Sequence, residues 1–175
     1  MAGHSKWAKL KHVKGKTDVQ KSKTFSKLVR FISVEAKKSK GDRFAPGLRA
    51  AVEKARAANM PQDNIDRAIN KASTSGELEP VVYEAYGPGG VALIIDGYTD
   101  SRNRTAQEIK HLLLLHGSSL ATPGAAGWAF SKNADGALEP ITAVEISEED
   151  GHKLAELVDA LEEHDDINNV YTNAT

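Results

Sequence analysis

The hydrophobic residues of the first 72 positions recur with the period of an α-helix. Three segments carry apolar residues at positions i, i+3, i+4 and i+7: Phe25, Leu28, Val29 and Ile32; Leu48, Ala51, Val52 and Ala55; and Ile65, Ala68, Ile69 and Ala72. Gly41, Pro46 and Gly47 interrupt the pattern between the first two segments, and Pro61 suits the first turn of a third helix. The pattern predicts a bundle of three short helices that begins near Thr17.

The polar stretch at residues 73–80 is followed by a change of period. Residues 81–86 and 91–99 are typical of two strands joined by the Gly87–Gly90 turn. A helix is predicted next, with Asp100 or Ser101 as its N-cap and Gly117 just past its end. Residues 125–130 and about 138–146 are the next predicted strands; a helix begins at Ser147, and residues 167–173 form the last strand. The order predicts a ferredoxin-like antiparallel sheet with two helices on one face, and thus an α+β protein.

Charge divides the chain at the same place as the change of period. Residues 1–72 carry 18 Lys+Arg and 6 Asp+Glu, whereas residues 73–175 carry 5 Lys+Arg and 18 Asp+Glu, so a formal net charge of −1 conceals two opposite halves. Such asymmetry indicates a part that binds polyanions joined to a part that does not. We therefore predict a basic three-helix nucleic-acid-binding domain at residues 1–76 and an acidic α+β domain at residues 77–175.

Composition excludes several classes of protein. The 175 residues include no cysteine, so disulfides, a thiol nucleophile and a cysteine-ligated zinc are excluded. The longest apolar runs, at residues 91–95 and 112–115, are far shorter than the roughly 20 residues that a membrane helix needs. The basic N-terminal stretch has no apolar core of the kind that a secretory signal carries. The sequence predicts a cytoplasmic protein that has no membrane partner.

The N-terminal stretch contains the first candidate binding site. Its predicted contacts to nucleic acid are the side chains of Lys6, Trp7, Lys9, Lys11, His12, Lys14, Lys16, Lys21 and Lys23. Lysines neutralise phosphates as point charges and carry little sequence preference. An exposed indole is suited to stacking on a base, although packing of Trp7 into the helical core is an open alternative. A flexible, solvated charge run is the alternative for the whole stretch.

The second candidate is the segment DGYTDSRNRT at residues 96–105. It follows a buried strand and opens a helix, where free backbone N–H groups and the helix dipole favour anions. Arg102 and Arg104 are two of the five cationic residues of the acidic half and are predicted to contact phosphate. In the alternative, Asp100 or Ser101 caps the helix and the two arginines pair with nearby acids.

Signals for catalysis are weak. No serine-hydrolase elbow, P-loop or dinucleotide-binding glycine pattern is present. His111 and His116 are five residues apart, which is not the i, i+4 spacing of a helical metal pair. The acidic cluster at residues 162–166 is interpreted as a solvated face, and Gly87–Gly90 as a turn rather than a phosphate cradle. We expect no catalytic residue, no cofactor, no metal and no small-molecule substrate.

Five blocks of the sequence resemble the YebC/PmpR family in the family's order. They are MAGHSKWAKLKH, ARAANMPQDNIDRAI, YEAYGPGGVALII, TDSRNRTAQEI and DALEEHDDINNVYTNA. The resemblance implies a basic three-helix domain that carries an α+β body. Family members have been described as DNA-binding transcriptional regulators. Others, including the mitochondrial translational activator of cytochrome oxidase, have been described as helping translation through proline-rich stretches at the ribosome.

The sequence departs from the family pattern at one point. Members usually carry a further α+β domain after the block that matches GWAFSK, whereas here residues 127–147 pass directly from one flank to the other. This is the pattern of a two-domain form, and any role of the missing domain is in doubt.

The sequence-based hypothesis is a non-enzymatic nucleic-acid-binding regulator of gene expression. It acts either on DNA in transcription or on ribosomal or transfer RNA at the ribosome, and the residues do not separate these two. One rival is a phosphate-handling enzyme built on Gly87–Gly90 and residues 96–105; turnover that depends on Arg102 would distinguish it. The other is a protein–protein adaptor that uses the acidic C-terminal helix; its partner binding would survive deletion of residues 1–16.

Overall fold

The computed structural model describes residues 18–72, 78–134 and 137–175, with side chains from residue 24 onward. Within this part of the chain the residues form two compact units, one spanning Lys16–Glu79 and the other containing Pro80–Thr175. The predicted boundary between residues 76 and 77 lies within residues 73–77, outside the described residues, and stays a prediction. No helix in the described ranges is long and apolar enough to span a membrane.

Three helices form the first unit: α1 (Asp18–Lys38), α2 (Pro46–Ala57) and α3 (Gln62–Lys71). Ile32, Leu48 and Ile65 are fully buried between them, with Phe25, Leu28 and Val29 half-buried at the edge of the core. The helical periodicity of the sequence therefore identified the buried faces correctly. Many of the remaining contacts are made by alanines, which let short helices approach closely.

The ends of α1 and α2 are closed by the same hydrogen-bonded cap. Lys40 and Asn59 each adopt a positive φ, of 52° and 60°. The next N–H then reaches back to the helix: Gly41 N–H donates to Ala36 O at 2.8 Å, and Met60 N–H donates to Ala55 O at 3.0 Å. These are Schellman caps, which satisfy carbonyls that the helix end would otherwise leave open. The loops that leave both helices are consequently held at their first residues.

The second unit combines strands and helices as the sequence predicted, and the α+β class is confirmed. Its elements are β1 (Glu79–Tyr86), β2 (Ala92–Thr99), α4 (Arg102–Leu115), β3 (Ser119–Ala121), β4 (Phe130–Lys132), β5 (Leu138–Pro140), α5 (Glu148–Glu163) and β6 (Ile167–Thr172). Four strands form one sheet in the order β3-β1-β2-β6, while β4 and β5 pair separately. The pairs β1–β3, β2–β6 and β4–β5 are all antiparallel.

Both faces of the four-stranded sheet are covered. On one face Leu93 and Ile95 pack with Ile109 of α4 and Leu157 of α5 in the larger core of this unit. On the other face Ala92 and Ile94 pack with Ala126, Ala129 and Phe130. This second contact explains why β2 is apolar at consecutive positions, since a strand buried on both faces does not alternate.

Two details of the predicted strand order are wrong. The predicted strand at residues 125–130 is largely a loop with a 3-10 turn at Gly127–Ala129, and only Phe130–Lys132 is extended. The sheet edge is formed instead by the three residues of β3, which the sequence did not predict. So short a strand offers no alternation to detect, and its sequence follows directly on the end of α4.

A close approach of two backbones joins β2 to β6. A Cβ atom at Gly97 would lie 1.9 Å from Asp166 O, so that only glycine fits there. The pairing register shifts between Asp96 and Gly97, and Tyr98 N–H donates to Asp166 O at 2.9 Å beyond the shift. The backbone before β6 is thus fixed against the strand that leads into α4.

Candidate nucleic-acid interface

Most of the predicted N-terminal contacts lie outside the described residues. These are Lys6, Trp7, Lys9, Lys11, His12, Lys14 and Lys16. Lys21 and Lys23 lie on α1, but their side chains are also outside the description. The phosphate-binding role of this group, and the choice between stacking and packing for Trp7, therefore stay predictions.

The described part of the helical unit is itself rich in exposed cations. Residues 24–72 carry 11 Lys+Arg and 5 Asp+Glu. The exposed cations are Lys37, Lys38, Lys40, Arg43, Arg49, Lys54, Arg56, Arg67 and Lys71. They occur on all three helices and on the loop between α1 and α2, so positive charge extends well beyond the N-terminal stretch.

Several of these cations have partners within the unit. Arg43 lies 2.8 Å from an oxygen of Asp66, Lys38 lies 2.7 Å from Glu35, and Arg49 lies 3.9 Å from Glu53. Exposed ion pairs of this kind contribute at most about 1 kcal/mol each. A polyanion can therefore replace such acids as the partners of these side chains at little cost.

The segment TDSRNRT of the second unit opens α4 through a chain of hydroxyl contacts. Ser101 is the N-cap residue, but its side chain makes no capping hydrogen bond. Its backbone N–H donates to Thr99 Oγ1 at 2.8 Å, Thr99 Oγ1 lies 2.7 Å from Thr105 Oγ1, and Thr105 Oγ1 donates to Asp166 Oδ2 at 2.6 Å. The start of α4 is thereby tied to the residue that precedes β6.

Arg104 is surrounded by carboxylates of its own unit. Its Nη2 lies 2.8 Å from Asp166 Oδ2 and 2.9 Å from Asp100 Oδ1, and its Nε lies 3.7 Å from Glu108 Oε2. The hydrogen bond to Asp166 and the charge of that carboxylate are the main causes that raise the pKa of Arg104. These are the acid pairs that the alternative interpretation of this segment expects. A further contact from Arg104 to phosphate stays a prediction.

Arg102 differs from Arg104 in its surroundings. Its side chain is exposed on the first turn of α4. Burial and the charge of Asp166 raise the pKa of Tyr83, and the positive charge of Arg102 opposes this rise. Both arginines are exposed, but only the ion pairs of Arg104 are described. Its predicted phosphate contact is untested.

Asp166 corrects the interpretation of the acidic cluster as a solvated face. Its side chain is only 2% exposed and accepts hydrogen bonds from Arg104 and Thr105. Together with Glu108 and His164 it presents three ligand atoms within 4.8 Å of one another, an arrangement that could hold a metal ion. Because the guanidinium of Arg104 already contacts two of these carboxylates, an ion pair accounts for the cluster. No sequence pattern indicates this cluster, since residues 104 and 166 meet only in the tertiary structure.

The glycine-rich segment Gly87–Gly90 is a tight turn. Gly87 N–H donates to Val91 O at 2.9 Å, and Gly90 N–H donates to Gly87 O at 3.1 Å. A Cβ atom at Gly89, where φ is 72°, would lie 2.7 Å from Ile146 Cγ2. The turn thus uses two of its N–H groups internally and packs on the segment before α5. This geometry gives no support to a phosphate cradle.

Comparison with known proteins assigns the two parts of the chain separately. The model of the TACO1/YebC protein N-terminal domain matches residues 5–75, and that of the TACO1/YebC second and third domain matches residues 78–136 and 132–174. The second match is in two pieces that meet at residues 132–136. The sequence places the missing domain at this point. In the structure the flanking strands β4 and β5 pair with each other, and Asn133 N–H donates to Ala137 O at 2.9 Å.

Similar proteins occur in several thermophilic bacteria. A protein of Thermosipho africanus is 53% identical over 138 residues, covering 75% of this chain and 54% of its own. Proteins of Thermotoga maritima and Halothermothrix orenii are 46% and 45% identical, covering 90% and 93% of this chain but 61% and 63% of their own. All three are named probable transcriptional regulatory protein. The chain spans between half and two thirds of the length of these curated relatives.

A solved structure shares the fold. A conserved hypothetical protein of Aquifex aeolicus superposes with a TM-score of 0.84 at 31% sequence identity, covering 98% of this chain and 97% of that one. Since the two family models together match nearly every described residue, the chain belongs to the TACO1/YebC family.

Proposed function

We propose that this protein is a nucleic-acid-binding regulator of gene expression that holds its target mainly through the phosphate backbone. The observation that carries the proposal is the segregation of charge, with 18 of the 23 Lys+Arg residues in the first 72 positions. The exposed cations of the helical unit, on α1, α2 and α3, add to the contacts that we predict for the N-terminal stretch. The names of the bacterial relatives support a regulatory role.

The acidic unit has a complementary role in this proposal. Residues 77–175 carry 18 Asp+Glu, which repel phosphate, so that nucleic acid is directed to the basic helical unit. Arg102 is the residue of this unit that we propose as an additional phosphate contact. Both operator DNA in transcription and RNA at the ribosome agree with the proposal, since lysine contacts to phosphate do not discriminate by sequence.

Sedimentation of the tagged protein from a cytoplasmic lysate separates these two targets. At low salt the protein should sediment either with ribosomes or with chromosomal DNA, and high salt should release it. With the purified protein, about six phosphate contacts would make log affinity for duplex DNA fall with log salt at a slope of about −5. Binding that does not change with ionic strength would contradict the proposal for both targets.

A further inference from the structure

The loop between α1 and α2 exposes an aromatic ring. The side chain of Phe44 is 90% exposed, more than any other large hydrophobic side chain in the described residues; the next, Leu115, is 66% exposed. Isolated apolar residues at a surface are common and by themselves indicate nothing. What distinguishes Phe44 is the combination of its exposure with the geometry and the charge of the loop.

The backbone that carries Phe44 is held on both sides. On the N-terminal side the Schellman cap of α1 fixes Lys40 and Gly41. Asp42 then accepts two hydrogen bonds. Its Oδ1 accepts one from Phe44 N–H at 2.9 Å, and its backbone oxygen accepts one from Ala45 N–H at 3.2 Å. On the C-terminal side Pro46 begins α2. A backbone held in this way loses little conformational freedom when the ring binds, which is the advantage of a preorganised loop.

Positively charged residues flank Phe44 in the sequence. Residues 37–49 contain five cations and one acid: Lys37, Lys38, Lys40, Arg43 and Arg49 against Asp42. All five cations are exposed. Three of them form exposed ion pairs, Lys38 with Glu35, Arg43 with Asp66 and Arg49 with Glu53, which are weak enough for a phosphate to compete with the acids. This charged loop differs from the centre of a protein–protein interface, which is depleted of charged residues. An apolar protein surface is therefore a poor partner for it.

A strand of nucleic acid offers both of the groups that this loop can bind. Every base has a flat face on which a phenyl ring can stack, and the backbone beside it carries a phosphate for each Lys or Arg. In a duplex the base faces are covered by their neighbours, whereas an unpaired base in a loop or at an end is free to stack.

We infer that Phe44 stacks on an unpaired base of a single-stranded segment, with Lys40 and Arg43 on the flanking phosphates. The inference rests on the proposed function and adds to it a binding position and a preference for unpaired nucleotides. Nothing in the sequence patterns pointed to this position, because a lone Phe between Arg43 and Ala45 gives no periodic signal.

The test compares full-length variants in their binding to a short oligouridine and to an RNA duplex, with the matching DNA strands as a second pair. Phe44→Ala should weaken binding to the single strands about tenfold, within the range measured for loss of one stacking aromatic, and leave duplex binding unchanged. Phe44→Trp should restore the affinity, and Phe44→Leu should not, since it keeps an apolar side chain but removes the flat ring. Because the side chain is exposed, the melting temperature of all three variants should equal that of the wild type.

The matched control is Trp128→Ala, which removes a 60% exposed aromatic from the acidic unit and should leave binding unaltered. Wild-type affinity in Phe44→Ala, equal losses on single strands and duplex, or full rescue by leucine would each overturn the inference and leave the proposed function standing. If the wild-type protein bound no nucleic acid at all, the proposed function would fail instead. Loss on RNA but not on DNA strands would support the inference and identify RNA as the source of the unpaired base.

Discussion

At the scale of single residues, Glu84 shows how one carboxylate shapes a loop. Its two oxygens accept hydrogen bonds from the backbone N–H groups of Gly124, Ala126 and Gly127, each at 2.7 Å. Burial raises the pKa of Glu84, but the three hydrogen bonds together lower it below its usual value of 4.5. The loop that these bonds hold brings Ala126 and Ala129 onto the second face of the sheet.

Replacing Glu84 with Gln should therefore destabilise the protein in a pH-dependent way. The pKa is lower in the folded state, so the ionised carboxylate stabilises the fold above pH 4.5, and this contribution is lost as the pH falls through the folded-state pKa. At neutral pH we expect Glu84→Gln to cost about 2 kcal/mol, since hydrogen bonds to a charged acceptor are involved. Urea unfolding of both proteins at pH 7 and at decreasing acidic pH measures this.

The gap between the two stability curves should narrow as the pH is lowered below 4.5. Glu145→Gln, at an exposed position, is the control and should follow the wild-type curve. A constant gap at every pH would mean that the charge of Glu84 is not what holds the loop.

At the scale of elements, a polar network connects the start of α4 to the start of β6. Asp166 is buried and receives Arg104 Nη2 at 2.8 Å and the Thr105 hydroxyl at 2.6 Å. One turn further along α4, Glu108 joins the network, with its Oε2 2.9 Å from His164 Nε2. Gly97 admits the backbone of Asp166 against β2, so the backbone that carries this carboxylate is held close to the strand that leads into α4.

Arg104→Ala should consequently act on stability. It removes one donor from a buried carboxylate, and we expect a loss in the free energy of unfolding that is larger than that of Arg102→Ala. Arg102→Ala, two positions away and exposed, should change stability by less than about 0.5 kcal/mol. Urea denaturation at neutral pH compares the two variants directly.

Equal losses in the two variants would show that the ion pair with Asp166 carries no special weight. The comparison also determines how binding data should be interpreted. A loss of nucleic-acid affinity in Arg104→Ala could follow from a displaced helix, whereas the same loss in a stable Arg102→Ala would indicate a phosphate contact.

At the scale of the whole molecule, charge is divided along the chain. Residues 1–72 have a formal charge set by 18 Lys+Arg and 6 Asp+Glu, and the remaining residues carry 5 and 18. The first group therefore has a large excess of positive charge, and most of its described cations are exposed on the three helices and on the loop between α1 and α2.

The effect of Lys→Glu substitutions on binding should therefore depend on where the lysines lie in the protein and not on how many are changed. A triple variant with Lys6, Lys9 and Lys11 changed to Glu should lower the slope of log affinity against log salt by about three and weaken binding at every salt concentration. A second triple variant, with Lys110, Lys132 and Lys153 changed to Glu, has the same net charge. Titration of labelled RNA and DNA with both proteins at several salt concentrations provides the comparison, and similar effects of the two variants would refute a localised interface.

Periodicity in the sequence was sufficient to predict the helices and the α+β class. The positions Ile32, Leu48 and Ile65 are buried as their spacing predicts, and Gly117, with a φ of 67°, ends α4 where the sequence placed it. These features depend on neighbours within a few residues, so a local sequence pattern predicts them. No local pattern predicts the three residues of β3 or the loop held by Glu84.

The sequence by itself determined the helical faces, the class of fold, the division of charge and the family. Only the tertiary structure decided that Arg104 pairs with Asp166, across 62 positions, and that Phe44 is left exposed between two capped helices. The physical reason is the range of the interactions. Helix periodicity depends on residues close together in the sequence, and the charge of a segment is a sum over its residues. The burial of a carboxylate or the exposure of a ring depends instead on which distant segments fold against it.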